Sequence, residues 1–213
     1  MLSSLSPFYP LKFAGLLGTI AFIAVTRLRA FHPYPRFGAA NTVTSIRAAL
    51  VAVVGAFIGE TPTDALASSA VVIATIATML DGVDGWLARR TAMSSAFGAR
   101  FDMEIDALLI QILSILAWLY GKAGPWVLLS GLLRYAFWAA GLGVVWIRQP
   151  LFASTRRKTV CVVQIAGLLV ALSPVVTPPW SNAVAAAALA ALGYSFLVDT
   201  WWLWRRRQTV ESL

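Results

Sequence analysis

Long apolar segments recur from one end of the chain to the other, and they constrain its fold more than any other feature. A helix needs about 20 mostly apolar residues to cross the hydrocarbon core of a bilayer. Six segments meet this requirement, namely residues 43–59, 65–87, 99–120, 126–147, 159–176 and 182–204. A seventh, residues 9–26, lacks the basic start and the small-residue cleavage site of a signal peptide. We therefore expect this segment to be retained in the mature protein and either to span the membrane or to insert half-way into it.

The composition agrees with a membrane protein. Hydrophobic residues make up 59% of the 213 residues and charged residues only 12%, whereas soluble domains have about 25% charged residues. The sequence predicts an all-α integral membrane protein with six transmembrane helices and an additional N-terminal membrane or interfacial helix. The net charge of +8 does not indicate nucleic-acid binding, because the basic residues lie between the apolar segments. A single cysteine, Cys161, excludes an internal disulfide.

The charged residues between these segments predict an orientation. One side receives Arg27, Arg29, Arg36, Arg89, Arg90, Arg100, Arg148, Arg156, Arg157, Lys158, Arg205, Arg206 and Arg207. The other side receives Lys122, together with Glu60 and Asp64. Basic residues accumulate on the cytoplasmic side of membrane proteins, so we expect a multi-pass protein of a bacterial inner membrane. Its domains are predicted as an N-terminal helix and interfacial segment (1–40), a six-helix domain (41–204) and a basic cytoplasmic tail (205–213).

Acidic residues are concentrated in one short part of the chain. Five of the nine lie between residues 81 and 106, namely Asp81, Asp84, Asp102, Glu104 and Asp106. Residues three or four apart share a helix face, so Asp81 pairs with Asp84, and Asp102 pairs with Asp106. Glu104 points elsewhere. The link between the two segments is short, which predicts antiparallel neighbouring helices whose carboxylate pairs face each other near the cytoplasmic surface.

Carboxylates that converge at a membrane repel each other and need cations. Oxygen ligands without histidine or cysteine favour Mg²⁺, Mn²⁺ or Ca²⁺ over zinc. Two such ions a few ångströms apart typically bind a pyrophosphate or phosphodiester group during its reaction. Gly82, Gly85 and Gly98 leave space for a bulky ligand, and Arg89 and Arg90 could hold phosphate oxygens. The structural alternative is a solvated helix end with glycines that serve helix packing.

The spacing of these residues also matches a known pattern. The sequence Asp81-x-x-Asp84-Gly85-x-x-Ala88-Arg89, then eight residues, then Gly98-x-x-x-Asp102-x-x-x-Asp106, resembles the complete motif of the CDP-alcohol phosphotransferases (CDP-alcohol phosphatidyltransferase, class I). The resemblance implies an enzyme that cleaves a CDP-linked substrate, releases CMP and passes the substituted phosphoryl group to an alcohol. It also implies a homodimer.

The resemblance further implies roles for individual residues. Asp81, Asp84 and Asp102 correspond to metal ligands for two Mg²⁺ or Mn²⁺ ions, and Asp106 to the catalytic base, which also borders the metal site. Gly85, Ala88 and Arg89 would line the nucleotide pocket, with Gly98 leaving room for it. The upstream NTVTSIR resembles the start of the family's first core helix, so further candidates are Asn41, Thr44 and Arg47, with helix capping as the expected role of Asn41.

The site of the acceptor alcohol is less defined. Arg134 lies within an apolar segment, where it either has a function or forms an ion pair, with Asp199 as the expected partner. The stretch STRRKTVCVVQ contains Arg156, Arg157 and Lys158. It resembles the Gly-Lys-x-Lys-Thr-x-x-Gln stretch of members with phosphorylated acceptors, but it lacks the glycine and shifts the glutamine by two. Its basic residues either bind an anionic acceptor or provide positive-inside charge.

We expect transfer of a phosphatidyl group from CDP-diacylglycerol to a small polar alcohol. Glycerol 3-phosphate is the first choice of acceptor, followed by inositol phosphate, serine or another polyol. An alternative within the family is transfer from a soluble CDP-alcohol to diacylglycerol. An alternative of another class is a carboxylate-based metal ion transporter, which is disfavoured because the second half of the chain has no counterpart of DGVDG. A non-catalytic lipid-binding homologue is disfavoured by the intact motif.

Overall fold

The computed structural model describes residues 5–31, 37–90, 95–149, 151 and 154–210, and this part of the chain is helical without any strand. Its α-helices are α1 (Tyr9–Phe31), α2 (Ala39–Gly55), α3 (Asp64–Arg90), α4 (Ala96–Leu119), α5 (Leu129–Gly143), α6 (Thr155–Leu172) and α7 (Trp180–Val210). Short 3₁₀ turns, Pro125–Leu128 and Val145–Arg148, flank α5. The all-α prediction is confirmed.

The ends of the helices differ from the predicted segments in two places. The predicted segment 126–147 contains a shorter α-helix, α5, with a 3₁₀ turn at each end. At the C-terminus, α7 continues to Val210, past the predicted end of the apolar segment at residue 204. Arginines in this extension lie over tryptophan rings one turn earlier, with Arg205 4.8 Å from the centre of the Trp201 ring and Arg206 4.2 Å from that of Trp202. Such cation–π contacts favour the continued helix.

Four helices of the described residues are long and apolar enough to cross a membrane, over Tyr9–Leu28, Asp64–Leu87, Pro125–Gly143 and Trp180–Arg207. The other three α-helices do not meet this requirement. Helix α2 is apolar but has only 17 residues, and α4 and α6 each contain at least three charged residues. The apolar helices indicate a membrane protein, whereas the number of six core spans stays a prediction.

The core is built around α2, which packs against α1, α3 and α4, while α4 also packs against α5 and α6, and α6 against α7. The face of α3 that is buried carries mainly small residues, Ala67, Ala70, Ala74 and Ala77. Small side chains allow close approach of helices where the bilayer supplies no hydrophobic driving force. The close packing of α2 and α3 fixes the relative positions of the side chains near the start of α2 and the end of α3.

An ion pair anchors α1 to the loop between α2 and α3. Lys12 of α1 donates a hydrogen bond to the buried carboxylate of Glu60, and Ser6 donates to it from its backbone N–H at 2.6 Å and from its hydroxyl at 2.7 Å. The bonds from the Lys12 side chain and the Ser6 backbone lower the pKa of Glu60 to about 2. Tyr9 stacks on Phe57 with 5.6 Å between the ring centres. The N-terminal half of α1 is therefore fixed to the core.

A second set of contacts joins the two remaining loops at the same end of the molecule. Lys122, after α4, donates hydrogen bonds to the carbonyl oxygens of Ser173 and Val176 after α6, at 2.9 and 2.8 Å. The hydroxyl of Ser181, at the start of α7, donates to the carbonyl oxygen of Lys122 at 2.7 Å. These loops lie at the end of the bundle away from the start of α4, where the acidic residues lie.

Candidate metal and active site

Three of the predicted acidic residues meet in space. Asp81 comes from α3, and Asp102 and Asp106 come from consecutive turns of α4. One carboxylate oxygen from each lies within 4.8 Å of the others, and all three side chains are half-buried. Ser95 caps α4 by accepting a hydrogen bond from the backbone N–H of Gly98 at 3.0 Å. This cap fixes the start of α4 just before the turns that present the carboxylates.

The guanidinium group of Arg47 lies among these carboxylates. It bonds to Asp102, to Asp106 at 2.5 Å and to Asp81 at 2.8 Å. Its Nε donates to the carbonyl oxygen of Ala77 in α3 at 3.1 Å. The Arg47 side chain is almost fully buried, with 1% of its surface exposed. Sequence reasoning placed Arg47 only among the further candidates, although an arginine within an apolar helix requires an acidic partner.

The charges and donor atoms of this cluster are compatible with a divalent cation. Three carboxylates and one guanidinium leave a formal charge of −2 among the described side chains. The donors offered by the carboxylates are all oxygen atoms, which suits Mg²⁺ and Mn²⁺. The residues therefore fit the metal-ion chemistry expected from the sequence.

Three predicted residues are not characterised by the structure. Asp84, Ala88 and Arg89 lie on α3, but their side chains fall outside the described part of the chain. Gly85 is half-buried on the same helix. The guanidinium of Arg90 lies 4.8 Å from the centre of the Trp86 ring. The nucleotide-binding roles of these residues thus stay predictions.

Gly98 has a clear packing role at the site. A Cβ atom added there would lie 2.7 Å from Oδ1 of Asn41 and 3.3 Å from Oγ of Ser95. The expectation that Asn41 caps α2 is wrong, because α2 begins earlier and its N-cap is Gly38, without a side-chain cap bond. Asn41 instead lies inside α2 and donates to the carbonyl oxygen of Phe37 at 2.5 Å. Gly98 thus allows the first turn of α4 to pack against α2.

Three of the four basic residues predicted near the acceptor, Arg134, Arg156 and Arg157, have acidic partners within the fold. Arg134 bonds to Glu104 at 2.7 Å rather than to Asp199. The buried Asp199 pairs instead with Arg156 at 2.5 Å, and lies 3.9 Å from Arg157. Arg156 also donates to the carbonyl oxygen and the hydroxyl of Ser195 in α7, at 2.7 and 3.2 Å.

These partners support the structural alternative for the three arginines. Lys158, the fourth predicted residue, is exposed at the start of α6. Thr44, a further candidate, is buried, and its hydroxyl donates to the carbonyl oxygen of Ala40 within α2 at 3.1 Å.

Comparison with known proteins identifies the family. The family model described as CDP-alcohol phosphatidyltransferase matches residues 37–199, which is most of the chain and leaves α1 outside the match. No curated protein matches the chain, and neither does any solved structure. Members of this family are transferases that use CDP-alcohol substrates, release CMP and depend on divalent metal ions. The chain therefore belongs to the CDP-alcohol phosphatidyltransferase family.

Proposed function

We propose that this chain is a phospholipid-synthesis enzyme that transfers a phosphatidyl group from CDP-diacylglycerol to a small polar alcohol and releases CMP. The observation that supports this most is the cluster of Asp81, Asp102 and Asp106 within the region that matches the family. A lipid donor is favoured because Asp81 lies on α3, one of the helices that are long and apolar enough to cross a membrane, so acyl chains can approach the site from the bilayer. Glycerol 3-phosphate is our first choice of acceptor, before inositol phosphate, serine or another polyol.

The three clustered aspartates, together with Asp84, are the proposed ligands of two Mg²⁺ or Mn²⁺ ions. Such ions, when bound, neutralise a pyrophosphate group and polarise the phosphorus under attack. The carboxylate oxygens of Asp81, Asp102 and Asp106 lie within 4.8 Å of one another, which is close enough for them to bind the same metal ion. Arg47 holds these carboxylates near each other through its three ion pairs.

Asp106 is the proposed general base. Its carboxylate accepts the proton of the acceptor hydroxyl while that oxygen attacks the phosphorus of the phosphatidyl group. The bond from this phosphorus to the oxygen of the departing CMP then breaks. Arg47 bonds to one oxygen of Asp106 at 2.5 Å, which orients the carboxylate. A general base of this kind typically accelerates a reaction by about 10²- to 10⁴-fold.

The remaining binding roles are assigned by the same proposal. Gly85, Ala88, Arg89 and Gly98 border the nucleotide. On the acceptor side, Lys158 supplies basic charge for an anionic alcohol, and Arg134, Arg156 and Arg157 add to the positive potential while they keep their acidic partners. Lys158 is the foremost of these because it is exposed, whereas Arg156 already bonds to Asp199 and Ser195.

The proposed membrane arrangement has six core spans, α1 as an additional membrane helix, and an active site that faces the cytoplasm of a bacterial cell. Two features support it. The basic and aromatic pairs at the end of α7 suit an inner membrane interface. The ion pair of Lys12 with Glu60 lies at the opposite end of the bundle from the carboxylate cluster. We also propose that the protein is a homodimer.

Measurement of CMP release tests the activity. Purified protein in detergent micelles is incubated with CDP-diacylglycerol, Mg²⁺ or Mn²⁺ and a panel of saturating acceptors. We expect Asp106→Asn to reduce CMP release at least about 100-fold, in line with loss of a general base. Glu104→Gln is the matched control, because it makes the same chemical change on α4 at a side chain that is 46% exposed. This control is expected to retain most of the activity.

The alternatives predict different outcomes. Release of CMP from a soluble CDP-alcohol in the presence of diacylglycerol, but not from CDP-diacylglycerol, would reverse the assignment of donor and acceptor. Uptake of metal ions into proteoliposomes without CMP release from any donor would favour a transporter. Equal activity of Asp106→Asn and the wild-type protein would refute the catalytic role of Asp106.

A further inference from the structure

Arg47 forms the centre of the carboxylate cluster and cannot readily leave it. Its two terminal nitrogens bond to carboxylates from α3 and α4, and its Nε bonds to the backbone of Ala77. The side chain has 1% of its surface exposed. If the guanidinium left the cluster, both it and the carboxylates would lose their partners of opposite charge. A fixed positive charge therefore lies where the proposed ligands of a divalent cation converge.

We propose that Arg47 is an internal counter-cation that competes with divalent ions for Asp81, Asp102 and Asp106. It keeps the carboxylates assembled in the ion-free protein, and it weakens ion binding. This inference rests on the proposed function above, because it assumes that the same carboxylates bind Mg²⁺ or Mn²⁺. Arg47 is in this sense a positioning residue and has no part in the chemical step.

The direction of the effect follows from the charges. The described side chains of the cluster have a formal charge of −2, and loss of the guanidinium changes it to −3. A positive charge within about 5 Å of a divalent ion opposes its binding even at the high effective dielectric constant of a protein surface. Without the guanidinium the carboxylates also repel each other, so the ion-free protein loses more stability than the ion-bound protein. Both effects raise the apparent affinity for the ion.

A purely structural role predicts a different result. If Arg47 only supported helix packing, its replacement would destabilise the ion-free and the ion-bound protein equally. The concentration of free ion at half-saturation would then stay unchanged. Ion affinity therefore separates the two roles, whereas loss of activity does not.

The experiment is a titration of the purified full-length protein with Mn²⁺ in detergent micelles. Electron paramagnetic resonance measures the free ion, and thermal unfolding is recorded at each concentration. We expect Arg47→Met to bind Mn²⁺ at least about tenfold more tightly than the wild-type protein, with a larger thermal stabilisation by the ion. Arg47→Lys retains the positive charge that opposes the ion, and its affinity is expected to stay within about threefold of the wild-type value. Lys12→Met is the control for loss of an ion pair to a buried carboxylate far from the site, and its affinity should match the wild type.

Unchanged or weaker Mn²⁺ binding by Arg47→Met would overturn the inference, as would absence of Mn²⁺ binding by the wild-type protein. If Arg47→Met does not fold, tenfold tighter binding by Arg47→Lys would also contradict it, because that variant retains the competing charge. Release of CMP by the wild-type protein is measured separately. Activity with an unchanged affinity of Arg47→Met would refute this inference alone, whereas the expected affinities without CMP release would refute the proposed function alone.

Discussion

Substitution of Gly98 by alanine tests whether this glycine serves helix packing or the nucleotide. The new Cβ atom would lie 2.7 Å from Oδ1 of Asn41, whereas an ordinary contact between carbon and oxygen is about 3.3–3.6 Å. The atoms therefore have to separate by roughly 0.6 Å or more. Asn41 cannot rotate away freely, because its amide nitrogen donates to the carbonyl oxygen of Phe37.

The contributions to the free energy of unfolding can be compared. Moving Asn41 off its rotamer costs about 0.5–1.5 kcal/mol, and loss of its hydrogen bond costs a further 0.5–1.5 kcal/mol or so. Alanine in place of glycine returns up to about 1 kcal/mol of helix propensity. We therefore expect Gly98→Ala to destabilise the protein by about 1 kcal/mol, within a range of roughly 0–2 kcal/mol.

A double-mutant cycle with Asn41→Ala isolates the contact. Without the Asn41 side chain the added methyl group meets no amide oxygen, so Gly98→Ala becomes neutral or slightly stabilising. The free energy of unfolding is measured by denaturant titration in detergent micelles for the wild type, both single variants and the double variant. Gly82→Ala is the matched control on α3, because a Cβ atom there would meet nothing within 4 Å.

Two results would refute this reasoning. An equal destabilisation by Gly98→Ala in the wild-type and Asn41→Ala backgrounds would show that the contact does not determine the effect. A stable Gly98→Ala protein with a strongly raised KM for the CDP-linked donor would assign the glycine to the nucleotide pocket instead.

Further predictions concern the two buried carboxylates outside the cluster. Because Lys12 lowers the folded-state pKa of Glu60 to about 2 from its usual 4.5, this group contributes stability that is fully present above about pH 5 and is lost as the pH falls through about 2. Glu60→Gln should therefore flatten the pH dependence of thermal stability in this range, and an unchanged curve would contradict the assignment. Asp199→Ala leaves Arg156 without its acidic partner and should cost about 1.5–3 kcal/mol of unfolding free energy, because Arg156 is partly exposed and keeps its bonds to Ser195. A loss within 0.5 kcal/mol or so, typical of a surface site, would contradict this.

Much of the acidic cluster could be predicted from sequence because its determinants are local. The spacing of Asp102 and Asp106 places them on one face of α4, and the short link to α3 limits where Asp81 can lie. The central position of Arg47 could not be predicted in the same way. It depends on how α2 packs between α3 and α4, and the residues it joins lie up to 59 positions away in sequence. The ion pair of Glu104 with Arg134 could not be predicted either, because it depends on how α5 is rotated against α4, which neither residue determines.

Helix ends show the same division between local and distant causes. In the described part of the chain, most ends of α1 to α7 lie within a few residues of the ends of the apolar segments. The sequence did not indicate that α5 is shortened by 3₁₀ turns or that α2 begins before Asn41. These ends are set by backbone hydrogen bonds and by packing against neighbouring helices, neither of which leaves a pattern in the sequence.

The ion pair of Arg47 with Asp81 also bears on how the chain enters the bilayer. Both residues lie on helices that are synthesised before α4, and synthesis delivers a chain from its N-terminus onwards. An isolated charge within a membrane is costly to insert. Because α2 and α3 pack closely and Arg47 lies 2.8 Å from Asp81, these two charges can enter the membrane as a neutralised pair. The acidic turns of α4 then arrive beside a guanidinium that is already in place.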